Sequence, residues 1–364
     1  MSGFSVADHA HMARALRLAE KGSYTTQPNP RVGCVIADGA EIVGEGFHAR
    51  AGAPHAEVLA LREAGARAHG ATAYVTLEPC AHFGKTPPCA DALIAAGVAR
   101  VIAACADPNP KVAGGGFAKL REAGIAVETG LMRDAARELN RGFFSRFERG
   151  RPWLRVKLAM SLDGRTALAD GKSQWITGAA ARADVQHWRA RSSAILTGAG
   201  TARADDPQLT VRLPDGEAFV PALRVVLDAR LEALQSNAHL LDGSAPTLVV
   251  HAEHARPRDG RYANAELVAV AVLDGRLDLT RVLTLLAARG VNELQVEAGP
   301  TLCGALFAQG LVDELLLYIA PVVLGDMARP LLRLPPIAEI SAGRQLRVVD
   351  QRRIGEDWRV LLRA

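Results

Sequence analysis

A chain of 364 residues is longer than one hydrophobic core usually organises, so two domains are expected. With 49% hydrophobic residues and 23% charged residues of both signs, its composition is that of a globular protein and excludes extensive disorder. A net charge of +4 without a Lys/Arg block, and only 5% aromatics, argue against a nucleic-acid surface and favour small anionic substrates.

The opening MSGFSVADHAHMARALRLAEKG lacks the apolar core of a secretion signal, and no window reaches transmembrane length, which points to the cytoplasm and away from a membrane. Five cysteines (Cys34, Cys80, Cys89, Cys105 and Cys303) read as reduced thiols, some of them candidate ligands. In chain order, Met12, Ala15, Leu16 and Ala19 recur at helical spacing between Ala7 and Lys21, and Gly22 ends that helix. Two apolar runs around Asp38-Gly39 form a hairpin signal. PHAEVLALR opens a helix near His55, ATAYVTLEP is a strand, PPCADALIAAG a helix and VARVIAACADPNP a strand, an α/β layering. LMRDAARELNRGFFSRFERGRPW is charge-dense and helical up to the Gly142 region. The domain boundary is expected at its end, giving units 1–148 and 149–364. Beyond it, the strand candidates WLRVKLAM, AILTGAG, LRVVLDA, TLVVHA and NELQVEAG alternate with helices such as AARADVQHWRARS and LTRVLTLLAARG, again α/β. No internal repeat is visible.

The first chemical constellation begins at His55 and Glu57. Two residues apart, they cannot share a helical face, but they can converge on one group at a helix end. PCAHFGKTPPC then supplies Cys80, read as ending a strand, and Cys89, read as opening a helix whose dipole favours thiolate. One imidazole and two thiolates are three zinc ligands with a fourth position open for water, and Glu57 beside them is suited to move protons. The residue types match zinc nucleobase deaminases, although eight residues instead of two separate the cysteines. His48 and His82 remain alternatives as ligands, substrate contacts or surface residues, while Cys34 and Cys105 read as core. In the second half, LQVEAGPTLCGALFAQG reads as a strand ending at Glu297, a Gly-Pro turn and a helix from about Thr301, whose first amides suit phosphate. It is neither a Rossmann fingerprint nor a P-loop, and a plain strand-turn-helix connection fits it as well.

PHAEVLAL, VTLEPCAHFGKTPPC, ADPNPKVAGGG, KLAMSLDGRTA, SQWITG, ILTGAGTARADDPQLTVR and VEAGPTLCGALFAQGLVDELLLYIAP together resemble the bifunctional riboflavin-biosynthesis deaminase-reductase family over nearly the whole chain, including the long cysteine spacing. The resemblance implies an α/β fold: a cytidine-deaminase-like three-layer domain followed by a dihydrofolate-reductase-like domain. It implies zinc-dependent removal of an amino group from a phosphoribosylaminopyrimidine, then NADPH reduction of the ribosyl group. His55, Cys80 and Cys89 would hold zinc, Glu57 would shuttle protons, and Asn29 and Lys85 would contact the nucleotide. Ala159, Trp175, Thr201, Asp205 and Gly299-Pro300-Thr301-Leu302-Cys303-Gly304-Ala305 would bind NADPH. Lys157, Ser173, Arg189, Leu209, Arg212 and Glu297 would face the substrate. A homodimer or higher homo-oligomer through the second domain also follows from the resemblance, although the apolar run DELLLYIAPVVLG reads better as a buried strand. Two rivals stay open: a nucleic-acid base deaminase with an accessory domain, and a non-catalytic zinc and nucleotide scaffold.

Overall fold

Alternating side chains let the strand β1 (Gly33–Asp38) serve two layers. Cys34 and Ile36 enter one buried cluster, and Val35 and Ala37 enter another on the opposite face. The computed structural model describes residues 3–81, 87–214 and 216–364, and the chain divides into units 1–149 and 150–364. In the first unit β1 pairs antiparallel with β2 (Glu41–Phe47) across the Asp38-Gly39 turn. It then pairs antiparallel with β3 (Thr72–Val75), which continues in parallel to β4 (Arg100–Ala103) and β5 (Ala126–Thr129), giving the order β2-β1-β3-β4-β5.

Helices cover both faces of this sheet. The helices α2 (Ala56–Ala64), α3 (Cys89–Ala95) and α4 (Gly115–Glu122) place Ala60, Leu93 and Phe117 against Cys34 and Ile36. On the other side, α1 (Val6–Glu20), α5 (Arg133–Leu139) and α6 (Arg141–Arg149) bring Met12, Ala136 and Phe143 to Val35. Ser5 and Asp8 form a capping box on α1, and Asp8 also accepts from Tyr74 Oη (2.8 Å) and Arg100 Nη1 (2.9 Å), tying the helix to β3 and β4. Helix does not stop near Gly142 as the sequence suggests. It resumes at Arg141 and runs to Arg149, because Phe143 and Phe144 are both buried there.

In the second unit the elements follow in the order β6 (Trp153–Ser161), β7 (Arg165–Ala167), α7 (Ala179–Arg191), β8 (Ala194–Gly198), α8 (Ala199–Asp205), β9 (Leu223–Leu227), β10 (Thr247–Ala252) and β11 (Glu266–Val270). A short hairpin, β12 (Val272–Leu273) and β13 (Arg276–Leu277), leads into α9 (Leu279–Ala288), β14 (Glu293–Val296), α10 (Pro300–Ala308) and β15 (Glu314–Ala320). The chain ends with β16 (Arg329–Pro330), β17 (Arg347–Ile354) and β18 (Asp357–Arg363). Nine strands form one sheet in the order β11-β10-β9-β8-β14-β6-β15-β18-β17, with every pairing parallel except the last two, β15–β18 and β18–β17. DELLLYIAPVVLG is indeed a buried strand through Ala320, with Val323 beyond it exposed. Arg155, fully buried, locks the central strands together by pairing with Glu314 (2.6 Å) and Glu293 (2.9 Å) under the Trp188 ring. Where parallel strands end, a crevice opens. No helix among the described residues is long and apolar enough to cross a membrane.

Candidate active sites

In the first unit the donor atoms converge. His55 is the N-cap of α2, so its backbone is extended and its ring projects beyond the helix, while Glu57 sits in the first turn. Cys89 opens α3, but Cys80 does not end a strand. β3 stops at Val75, and the Pro79 peptide, which lacks an N–H, carries Cys80 on a loop that Cys105 and the α4 segment hold from behind. His55 Nδ1 lies 3.1 Å from Cys89 Sγ and 3.6 Å from Cys80 Sγ, and the three donors lie within 4.8 Å of one another. Tetrahedral zinc sets nitrogen and sulfur donors about 3.5 Å apart, so the set fits that ion. The electrostatics agree. A hydrogen bond from Cys89, assisted by His55, pulls the Cys80 thiol down to about 4, and Cys80 and burial push Cys89 well up. The two sulfurs thus compete for one negative charge, a competition that a divalent cation removes.

Glu57 is 3% exposed, and its Oε2 has no hydrogen-bond partner among the described residues. Burial raises its carboxyl against the opposing pull of His55. Asn29 Nδ2 is 3.0 Å from His48 Nε2, and the His48 ring stands edge-on to that of His55 at 5.2 Å, so both border the site without ligating. Lys85 and His82 lie outside the described residues. Sequence reasoning missed Glu78. Its carboxylate accepts from the backbone amides of Asp107, Gly114, Gly116 and Phe117 at 3.1–3.4 Å, which ties the start of α4 to the residue two positions before Cys80. The glutamate in LEPC was the available signal.

In the second unit a cleft of about 2410 Å³ lies over the strand ends. Lys157, Ala159, Ser173, Trp175, Arg189, Thr201, Asp205, Leu209, Arg212, Glu297, Gly299, Pro300, Thr301, Leu302 and Ala305 all line it. Cys303 and Gly304 do not. Cys303 is buried and donates to Ala298 O (3.3 Å), and Gly304 packs on the backbone of Arg333, because a helix turns two of every four residues away from a cleft. Arg189 grips Glu297 through two 2.8 Å bonds. Burial alone would raise the Glu297 carboxyl, but Arg189, helped by Lys157, outweighs it and holds the group at about 2. Burial pushes the Lys157 ammonium downward. Gly299 caps α10 without a side-chain bond, and Gly299 N donates to Thr201 Oγ1 (3.1 Å). Pro300 has no N–H, so the α10 donors left for an anion are the amides of Thr301 and Leu302, and the space accommodates a dinucleotide beside a nucleotide. The residues present fit NADPH.

Zinc donors with a buried carboxylate in one unit, and an anion-ready nucleotide cleft in the other, define a two-site enzyme of the deaminase and reductase class. Residues 5–105 match the cytidine and deoxycytidylate deaminase zinc-binding region, and residues 152–360 match the RibD C-terminal domain. The chain belongs to the RibD family of riboflavin biosynthesis proteins and is a zinc-dependent deaminase and NADPH-dependent reductase. It is 49% identical to riboflavin biosynthesis protein RibD of Escherichia coli (96% of this chain, 97% of the other) and 47% identical to that of Haemophilus influenzae (98% and 97%). Among solved structures, RibD of Acinetobacter baumannii superposes with a TM-score of 0.90 at 43% identity, covering 98% of each chain. A Thermotoga maritima protein described as a diaminohydroxyphosphoribosylaminopyrimidine deaminase and 5-amino-6-(5-phosphoribosylamino)uracil reductase gives 0.85 at 31% identity, again covering 98% of each chain.

Proposed function

We propose that the first unit deaminates 2,5-diamino-6-(5-phosphoribosylamino)pyrimidin-4(3H)-one and that the second reduces the product with NADPH to 5-amino-6-(5-phosphoribitylamino)uracil. The observation that carries the reading is the triangle of His55, Cys80 and Cys89 with the buried, half-unpartnered Glu57 beside it. When bound, zinc lowers the pKa of a coordinated water towards about 7. Glu57 Oε2 accepts one proton from the attacking water and gives it to the ring nitrogen, then takes the second proton from the hydroxyl formed on the carbon and gives it to the departing amine, which leaves as ammonia. Asn29, His48 and Lys85 orient the nucleotide.

In the second unit NADPH supplies the hydride. Lys157, Ser173, Arg189, Leu209, Arg212 and Glu297 face the substrate, the arginines towards its phosphate, with Arg189 fixed in orientation by Glu297 and Thr210 O. Ala159, Trp175, Thr201, Asp205 and the 299–305 turn hold the cofactor. Within that turn Cys303 and Gly304 act from behind, through packing. We read the enzyme as cytoplasmic, without nucleic-acid or membrane partners. A second copy of the chain would cover the exposed Met327, Leu334, Ile337 and Ile340 of the second unit.

The test follows ammonia release and NADPH oxidation together on the diaminopyrimidine ribosyl phosphate. Ammonia is expected without NADPH, and NADPH consumption only after deamination. Glu57→Gln is expected to keep zinc and reduction of the pre-formed uracil but to lose ammonia release at least a hundredfold. Unimpaired release in that variant removes Glu57 from the mechanism.

A further inference from the structure

Four of the eight arginines that line the second unit's cleft are already engaged. Arg189 holds Glu297, Arg182 donates to Thr177 O, Arg212 donates to Gln208 and Thr210, and Arg230 faces Glu232 at 3.2 Å. Four others that line it, Arg203, Arg276, Arg329 and Arg333, make no side-chain hydrogen bond or ion pair with any described residue. Two of these four belong to a single strap that crosses the first turn of α10.

Three contacts position that strap. Arg329 pairs with Ala167 in the β16–β7 ladder, Thr166 Oγ1 donates to Pro330 O (3.2 Å), and Arg333 N donates to Pro300 O (3.0 Å). The approach is close. A Cβ at Gly304 would lie 2.0 Å from Arg333 O, so only glycine leaves room for the strap. At the other end, the Arg329 guanidinium lies against Gly171, within reach of the loop that carries Ser173 and Trp175. The strap therefore carries two guanidinium groups without a hydrogen bond or ion pair, Arg329 in electrostatic range of Asp170 and Asp205, to the helix end that lines the same cleft. A helix terminus offers only about half a positive charge, whereas a dinucleotide's diphosphate carries two negative ones. Guanidinium groups supply the remainder as charge-assisted hydrogen bonds.

We propose that Arg329 and Arg333 hold the cofactor's diphosphate against the first turn of α10, forming the side-chain wall of a cradle whose other wall is backbone. The proposal rests on the reductase reading above. It assigns them to the diphosphate and not to the adenosine 2′-phosphate, because their strap touches the α10 turn itself.

The test is isothermal titration of the full-length, zinc-loaded chain with NADP⁺ and separately with adenosine 2′-monophosphate, which has no diphosphate. Arg333→Gln and Arg329→Gln are each expected to weaken NADP⁺ about tenfold and to leave adenosine 2′-monophosphate unchanged. Arg333→Lys should recover part of the loss, since charge is kept and only the forked geometry is gone. In turnover, KM for NADPH should rise while kcat at saturating NADPH stays within about threefold. Ammonia release and the tryptophan-monitored unfolding midpoint report that each variant is folded. NADP⁺ affinity unchanged in both variants overturns the cradle, and so does an equal loss for adenosine 2′-monophosphate. Failure of the wild-type chain to bind NADP⁺ at all overturns the reductase reading instead, and the cradle with it.

Discussion

Replacing Arg189 with methionine leaves Glu297 in place but removes both of its 2.8 Å bonds to the guanidinium. The pair is 11% and 13% exposed, so solvent does little to replace what is lost. A carboxyl held at about 2 in the fold, against about 4.3 in an unfolded chain, contributes about 3 kcal/mol at pH 7. Lys157 and Gln295 remain near Glu297 and retain part of this, so the variant should lose about 2 kcal/mol. The sign of the pH dependence follows from the depressed value. This stabilisation is complete above about pH 4.3 and is lost as pH falls through about 2, with under half left by pH 3. The gap between wild type and Arg189→Met should therefore be constant from pH 7 to 5 and shrink below 4. All four tryptophans, Trp153, Trp175, Trp188 and Trp358, lie in the second unit, so denaturant unfolding followed by their fluorescence reads that unit alone. Adding Glu297→Gln should recover part of the loss, because no buried charge is then left unpaired. An unchanged midpoint at pH 7, or a gap that persists undiminished at pH 3, refutes the assignment of this energy to the ion pair.

A Cβ at Gly116 would stand 1.8 Å from Pro79 O, so Gly116→Ala should push the Cys80 loop away and lower zinc retention at least tenfold, read by dialysis against a chromogenic chelator. Burial pushes the Asp107 carboxyl up to about 6, so its ionised form costs stability as pH rises through that value. Asp107→Asn should therefore raise the first unit's calorimetric transition by about 1–2 kcal/mol at pH 7.5, with no gain below about pH 4. Arg155→Met removes the cation between Glu293 and Glu314 and should cost the second unit about 3–5 kcal/mol in the tryptophan assay.

The elements were legible where one residue type dictates a local geometry. Asp38-Gly39 marks the β1–β2 turn between two apolar runs, the first of which, GCVIA, is buried on both faces. The helix that resumes at Arg141 was not legible, since Gly142 reads as a stop until Phe143 and Phe144 are seen buried against the sheet. His55, Cys80 and Cys89 were legible as donors because few side chains bind zinc. The loop position of Cys80 was not, because it depends on contacts to Cys105 and the α4 segment, residues remote in sequence.

The same division explains why the residues that hold each site escaped notice while those that perform its chemistry did not. A zinc donor or proton carrier must be one of a few side chains, so its identity survives in the sequence as a motif. Glu78 works by accepting from four backbone amides, and an amide has no sequence signature, so the interaction is invisible until Asp107 through Phe117 fold back onto it. Arg189 and Glu297 were each named from the sequence, but their pairing was not, since they stand 108 residues apart, and the strap bearing Arg329 and Arg333 meets α10 through one backbone bond and the missing side chain of Gly304. Each holder acts by closing a long loop onto the site. Substitutions at holders should therefore displace ligands and shift midpoints, whereas Glu57→Gln should stop chemistry in a chain that still folds and still binds zinc.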